Sequence, residues 1–134
     1  MTDKQKDLCL YRVSQAEDTI RSAQLCMENH LFKDAINRSY YAAFYAVKAV
    51  LALVDTDFKR HKDVVAYFNK EYVAAGIFPR EIGRLLARLQ KKRETSDYDD
   101  FYIASNEEAA EQMEAAGNIL EAIKAYLREN AVIE

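Results

Sequence analysis

The sequence predicts an all-α fold, an antiparallel helical bundle of about five helices. Three observations lead there. Only three glycines and one proline occur in 134 residues, against ordinary usage of roughly 7% and 5%, and so few breakers favour long helices over many short strands. Half of the residues are apolar and 31% are charged, the mixture that amphipathic helices need. Apolar residues recur at three- and four-residue steps through most of the chain. The length suits one domain covering residues 1–134.

The first helix is expected from about Asp3 to Met27, with Leu8, Val13, Ala16, Ile20, Ala23 and Met27 on its inner stripe. Asn29-His30 is a short break. The second runs from about Phe32 to Val54, with Ile36, Tyr40, Ala43, Phe44, Val47, Val50, Leu51 and Val54 inward. Its stripe is the widest, so this helix should be the most buried. A polar link, Asp55 to Arg60, leads to a third helix from about His61 to Ala75 carrying Val64, Val65, Phe68 and Tyr72. Gly76 suits the left-handed residue just past its end, and Pro79 the first turn of a fourth helix. Ile82, Leu85, Leu86 and Leu89 form that helix's apolar face. The segment from Thr95 to Ala104 breaks the period. Ser105 and Glu108 then make a capping box for a last helix to about Asn130, with Ala109, Met113, Ala116, Leu120, Ile123 and Leu127 inward. Short links between long helices imply antiparallel neighbours.

Several function classes drop out. No run approaches the roughly 20 apolar residues of a membrane span, and the start of the chain has no apolar core followed by a small-residue cleavage site. Cys9 and Cys26 fall on one predicted helix about 25 Å apart, too far to bridge, and read as packed thiols of a reducing cytoplasm. No HExxH pattern, Cys/His cluster or phosphate-cradling glycine loop occurs, so no metal or cofactor is implied. The net charge of −3 means that any nucleic-acid site must be local.

The run Asn37-Arg38-Ser39-Tyr40-Tyr41-Ala42-Ala43-Phe44-Tyr45 lies in the middle of the most buried helix. Arg38, Tyr41 and Tyr45 share a face at i, i+3 and i+7. They suit either a phosphate or base site, with a bidentate guanidinium and stacking rings, or a satisfied interhelical polar network. The fourth helix carries a basic row, Arg80, Arg84 and Arg88, continued by Lys91, Lys92 and Arg93, with Glu81 its one acid. Such a stripe can bind a phosphate backbone. It can equally face the acids that follow, from Asp97, Asp99 and Asp100 to Glu107, Glu108, Glu111 and Glu114. Tyr98, Phe101 and Tyr102 lie in this acidic segment; Phe101 is expected to pack and the tyrosines are open.

An arginine followed by Tyr-Tyr-Ala and then Phe resembles the second-helix signature of bacterial HEPN proteins. The likeness continues through His61, Gly76-Ile77-Phe78-Pro79, Gly83-Arg84-Leu85-Leu86, and Arg93 with Asp97-Tyr98-Asp99-Asp100-Phe101, over about residues 5–127. The order and spacing of these motifs carry it. The resemblance implies a HEPN-like bundle, a homodimer, and a toxin paired with a minimal nucleotidyltransferase as antitoxin. Many HEPN proteins are metal-independent endoribonucleases with an arginine and a histidine separated by four to six intervening residues. Here Arg93 matches the motif arginine, but Tyr98 stands at the histidine position. Counting from Arg38 reaches Tyr45 instead. A tyrosine with a pKa near 10 is only about 0.1% ionised at pH 7, a poor general base. It could still accept a nucleotidyl group, which nominates Tyr98.

His61 is the one imidazole that could replace the motif histidine by folding close to Arg38 or Arg93, the alternative being a solvated cap-region residue. His30, at a break, reads as structural or exposed. The candidate catalytic set is therefore Arg93, His61 and Tyr98, and the candidate RNA- or nucleotide-binding set Arg38, Tyr41, Tyr45, Arg84 and Arg88. The alternative is a non-enzymatic subunit that binds a nucleotide or a partner protein.

Overall fold

Five α-helices account for the architecture of the computed structural model, which describes residues 1–134. They are α1 (Asp3–Glu28), α2 (Phe32–Ala52), α3 (His61–Phe68), α4 (Arg80–Tyr98) and α5 (Asn106–Glu129). Thr2 caps α1 and Ser105 caps α5. In each capping box the hydroxyl accepts from the third helical N–H while Gln5 or Glu108 accepts from the cap N–H. The turns between α1 and α2 and between α4 and α5 are short, so each pair forms an antiparallel hairpin.

Helix α2 is the centre of the bundle, packed against α1, α3, α4 and α5. The wide apolar stripe is the cause: Ile36, Tyr40, Ala43, Val47, Val50 and Leu51 are all at most 1% exposed. One core joins all of these but Ile36 to Val13, Ala16, Phe68, Leu86, Leu89, Ile119, Ile123 and Leu127, and Ile36 packs with Ala35 and Ala109 in a smaller cluster. Small residues on α2, Ala42, Ala43, Ala46 and Ala49, are fully buried and let neighbouring helices approach closely.

The structure moves several expected boundaries. The third helix is α only to Phe68; Asn69–Val73 is a π-helical turn in which Ala74 N–H donates to the Asn69 carbonyl at 2.7 Å. The wider turn carries Tyr72 into the core against Phe68 and Phe78. Its neighbour across the interface is Gly83, where a Cβ would lie 3.2 Å from Val73 and 3.3 Å from Asn69. Gly76 adopts the expected left-handed conformation at φ 83°. Helix α4 continues through Thr95 to Tyr98, where the sequence period suggested a break, because Ser96 keeps the inner face buried. Leu8 and Val54 are exposed rather than inward; Cys9 fills the stripe position beside Leu8, and α2 ends before Val54. Cys9 and Cys26 are free thiols. No helix is long and apolar enough to cross a membrane.

Candidate functional site

Ile82, Leu86 and Leu89 form the buried stripe of α4, and the next position in their four-three-four spacing is Arg93. An arginine is thus delivered to a core-facing position, its side chain only 13% exposed. Its guanidinium lies 4.8 Å from the ring centre of Tyr40 and 5.6 Å from that of Tyr41, both on α2. Asp97, one turn on, pairs with it at 3.4 Å through an oxygen that also accepts from Asn37 Nδ2 at 3.4 Å. Both contacts are long, and the Arg93 Nε is buried without a partner. Burial works against the charge, but Tyr41, Tyr40 and Asp97 outweigh it and hold the Arg93 pKa above its ordinary value. The result is a fixed cation with uncommitted donors, which is what an oxyanion requires.

His61 reaches the same place from the start of α3. Its ring stacks on Phe44 with centres 4.1 Å apart, and its Nδ1 is 3.2 Å from the Tyr40 hydroxyl. Burial first, then the charges of Arg93 and Lys48, lowers its pKa from 6.5, so the imidazole is neutral at pH 7. In the tautomer whose Nδ1–H donates to the Tyr40 oxygen, Nε2 carries a free lone pair. Tyr40 is fully buried and its own pKa is pushed up to about 12, mainly by burial. It is therefore a neutral phenol, able to hold the imidazole by hydrogen bonding.

Arg38, Tyr41 and Tyr45 lie along the adjoining face of α2. The Arg38 guanidinium is 5.1 Å from the Tyr41 ring centre and its Nε donates to Asn37 Oδ1 at 3.0 Å. Tyr41 and Tyr45 have ring centres 5.9 Å apart. One tyrosine ring, Tyr41, therefore has two guanidinium groups over it, with Asp97 the one carboxylate paired to them and Glu94 acting on Tyr40 from nearby. The local field favours an anion.

The remaining candidates lie elsewhere. By helical geometry, Arg84 is turned about 180° and Arg88 and Tyr98 about 140° around α4 from Arg93. Arg84 pairs with Glu81. Tyr98 is 77% exposed. Phe101 does not pack as expected: it is 93% exposed, because the link turns the next residue, Tyr102, inward in its place. Tyr102 is half-buried, and its hydroxyl donates to Glu108. His30 is exposed in a left-handed turn residue, φ 59°. Tyr40, Asn37, Asp97 and Phe44 are members of the cluster that sequence reasoning did not nominate. The spacing from Ile82 to Arg93 was a signal for the buried arginine; nothing local pairs Tyr40 with His61. The cluster is an open face, since the four surface cavities lie elsewhere, and no group of His, Cys, Asp and Glu converges to hold a metal ion.

Comparison with known proteins extends this picture. The model of the HEPN domain family matches residues 10–126. Over 129 residues the chain is 31% identical to a UPF0332 protein of Thermotoga maritima, covering 96% of this chain and 97% of the relative. It is 31% identical over 114 residues to a Methanocaldococcus jannaschii protein named "Putative toxin", covering 85% of this chain and 84% of that one. The crystal structure of an archaeal HEPN homologue shares the fold with a TM-score of 0.70 at 21% identity, over 87% of this chain and 95% of that chain.

Proposed function

This chain belongs to the HEPN domain family, and we propose that it is a toxin-like, metal-independent endoribonuclease whose site is built on Arg93 and His61. The observation that carries the reading is Tyr40, whose ring lies under the Arg93 guanidinium while its hydroxyl meets the His61 imidazole. The imidazole absent from the motif position at Tyr98 is thereby supplied from another helix.

In this mechanism a phosphodiester lies on the open face of α2 and α4. His61 Nε2 takes the proton of the ribose 2′-OH. The 2′-oxygen bonds to phosphorus, the bond to the 5′-oxygen breaks, and that oxygen takes a proton from water. The products are a 2′,3′-cyclic phosphate and a 5′-hydroxyl. Arg93 stabilises the charge that builds on the non-bridging oxygens, and Arg38 with Tyr41 and Tyr45 holds the flanking phosphate and base. A homodimer closing over this face would exclude water from it. A nucleotidyltransferase antitoxin would act on Tyr98, whose exposure leaves the hydroxyl accessible.

The test is RNA cleavage by the purified protein in EDTA, beside Arg93→Ala and His61→Ala at matched folding and oligomeric state. Cleavage by the wild type and its loss in both variants is expected. No cleavage of several RNAs by the protein freed of partner and modification would sink the catalytic reading. The second reading, a non-enzymatic nucleotide-binding subunit, is favoured by the two guanidinium groups on Tyr41, which suit anion binding without any proton transfer.

A further inference from the structure

A second surface of α4 carries an anion site of different construction. Between α4 and α5 runs a groove of about 250 Å³ lined by Arg88, Lys91, Lys92, Thr95, Glu111 and Gln112. Three cations there face one carboxylate. Arg88 and Lys91 form no salt bridge, unlike Arg84, Lys92 and Arg93 on the same helix. Lys92 is 3.9 Å from Glu108, a loose pair that leaves ammonium donors free.

Gln112 brings a neutral amide to the same groove. It is 3% exposed, yet its Oε1 is buried with no hydrogen-bond partner and its amide nitrogen donates to no protein group. The unpaired Oε1 is an acceptor, which no phosphate oxygen can satisfy; the donor that the amide offers a ligand is its Nε2. A glutamine at a position flanked by Ala109, Ala116 and Met113 on the same helix would be replaceable by leucine if packing were its sole role. Around this amide the groove offers a guanidinium, two ammonium groups and the Thr95 hydroxyl, all hydrogen-bond donors.

From these residues we infer that the basic end of the α4–α5 groove is a phosphate-binding site, with Arg88 and Lys91 supplying the charge and Gln112 a neutral donor at its floor. It lies about 140° around α4 from Arg93 and does not require cleavage at that cluster. An adjoining cavity shares Arg88 and Glu111 and adds Glu81 and Glu114, which disfavours a phosphate beyond Arg88.

The experiment measures binding of a fluorescein-labelled single-stranded 2′-O-methyl oligouridylate, which has no 2′-OH to be cleaved, over a range of salt, with inorganic phosphate and AMP as separate ligands by calorimetry. Arg88→Gln/Lys91→Gln should weaken oligouridylate binding about tenfold and reduce the slope against log salt by about 1.4, the value for two lost phosphate contacts on a single strand. Gln112→Leu should weaken binding about fivefold with the slope unchanged, because the lost donor is neutral. Arg80→Gln/Arg84→Gln removes the same charge outside the groove and should change affinity less than about twofold. Binding of phosphate or AMP with the same losses assigns the site to a free phosphoester; binding of the oligouridylate alone assigns it to a strand backbone. Equal losses in the two double variants would reduce the groove to a diffuse basic stripe and overturn the proposal, as would no binding of any of the three ligands. Cleavage assayed in parallel keeps the two sites apart: a groove variant that binds normally while the wild type cleaves overturns this site alone, and salt-dependent groove binding without cleavage overturns the catalytic reading alone.

Discussion

Tyr40 holds together two groups of opposite chemical need, a permanent cation on its ring face and a neutral imidazole at its hydroxyl. Replacing it by phenylalanine keeps the stacking and removes one hydrogen bond, which should cost about 1 kcal/mol in a urea titration. If His61 is the base, Tyr40→Phe should also lower kcat with little change in KM, since it misplaces the imidazole without touching the phosphate. Arg93 gives a sharper separation of stability from function. A buried ion pair is often no more stable than apolar residues in place of both partners, so Arg93→Leu/Asp97→Leu should retain or raise the midpoint of denaturation while abolishing anion binding at this face. A clear fall in Tm for the double variant would mean that the pair is structural.

His61 has a sign that can be worked out. Burial, then Arg93 and Lys48, lowers its folded pKa below the ordinary 6.5. The unfolded chain therefore binds the proton more readily, and the stability associated with the neutral imidazole is present above pH 6.5 and lost as pH falls through the lowered folded value. Between about pH 7 and pH 5 the wild type should lose more stability than His61→Gln. Equal losses in urea titrations would show that this imidazole is not coupled to the cluster.

At the scale of elements, two helical glycines make opposite predictions from one substitution. Gly117 lies within α5, and a Cβ added there would have nothing within 4 Å, so Gly117→Ala should stabilise the protein by about 0.5–1 kcal/mol through helix propensity. Gly83 lies in α4 where the same Cβ would meet Val73 at 3.2 Å and the buried Asn69 oxygen at 3.3 Å. Gly83→Ala should come out less stable than Gly117→Ala in the same chemical denaturation series, because the π-helical turn has to shift. The helix starts are simpler: Ser105→Ala removes half of the α5 capping box and should cost about 1 kcal/mol.

For the whole molecule, stability is uneven. Helices α1, α2 and α5 hold most of the core, while α3 and the π-helical turn pack on one side of it. Amide hydrogen exchange should find α2 most protected, and the α2–α3 and α4–α5 links opening first. His61 begins α3, so the imidazole lies on one of the more easily opened elements, whereas Arg93 lies on a long helix anchored by Leu86 and Leu89. Protection of α3 as high as that of α2 would contradict this gradient.

The sequence by itself determined the class of fold, the five helices, both candidate ends of α5, the left-handed Gly76 and the common face of Arg38, Tyr41 and Tyr45. These follow from contacts within one helical turn, and local spacing reports them directly. Even the buried setting of Arg93 was readable, as the next step after Ile82, Leu86 and Leu89. The tertiary structure alone decided that His61 meets Tyr40 across 21 residues and that Asn37 meets Asp97 across 60. It also decided that Phe101 stays exposed and that the third helix widens into a π turn. Those outcomes depend on how helices cross and which side chains fill the space between them, and no periodicity along one chain segment encodes that packing.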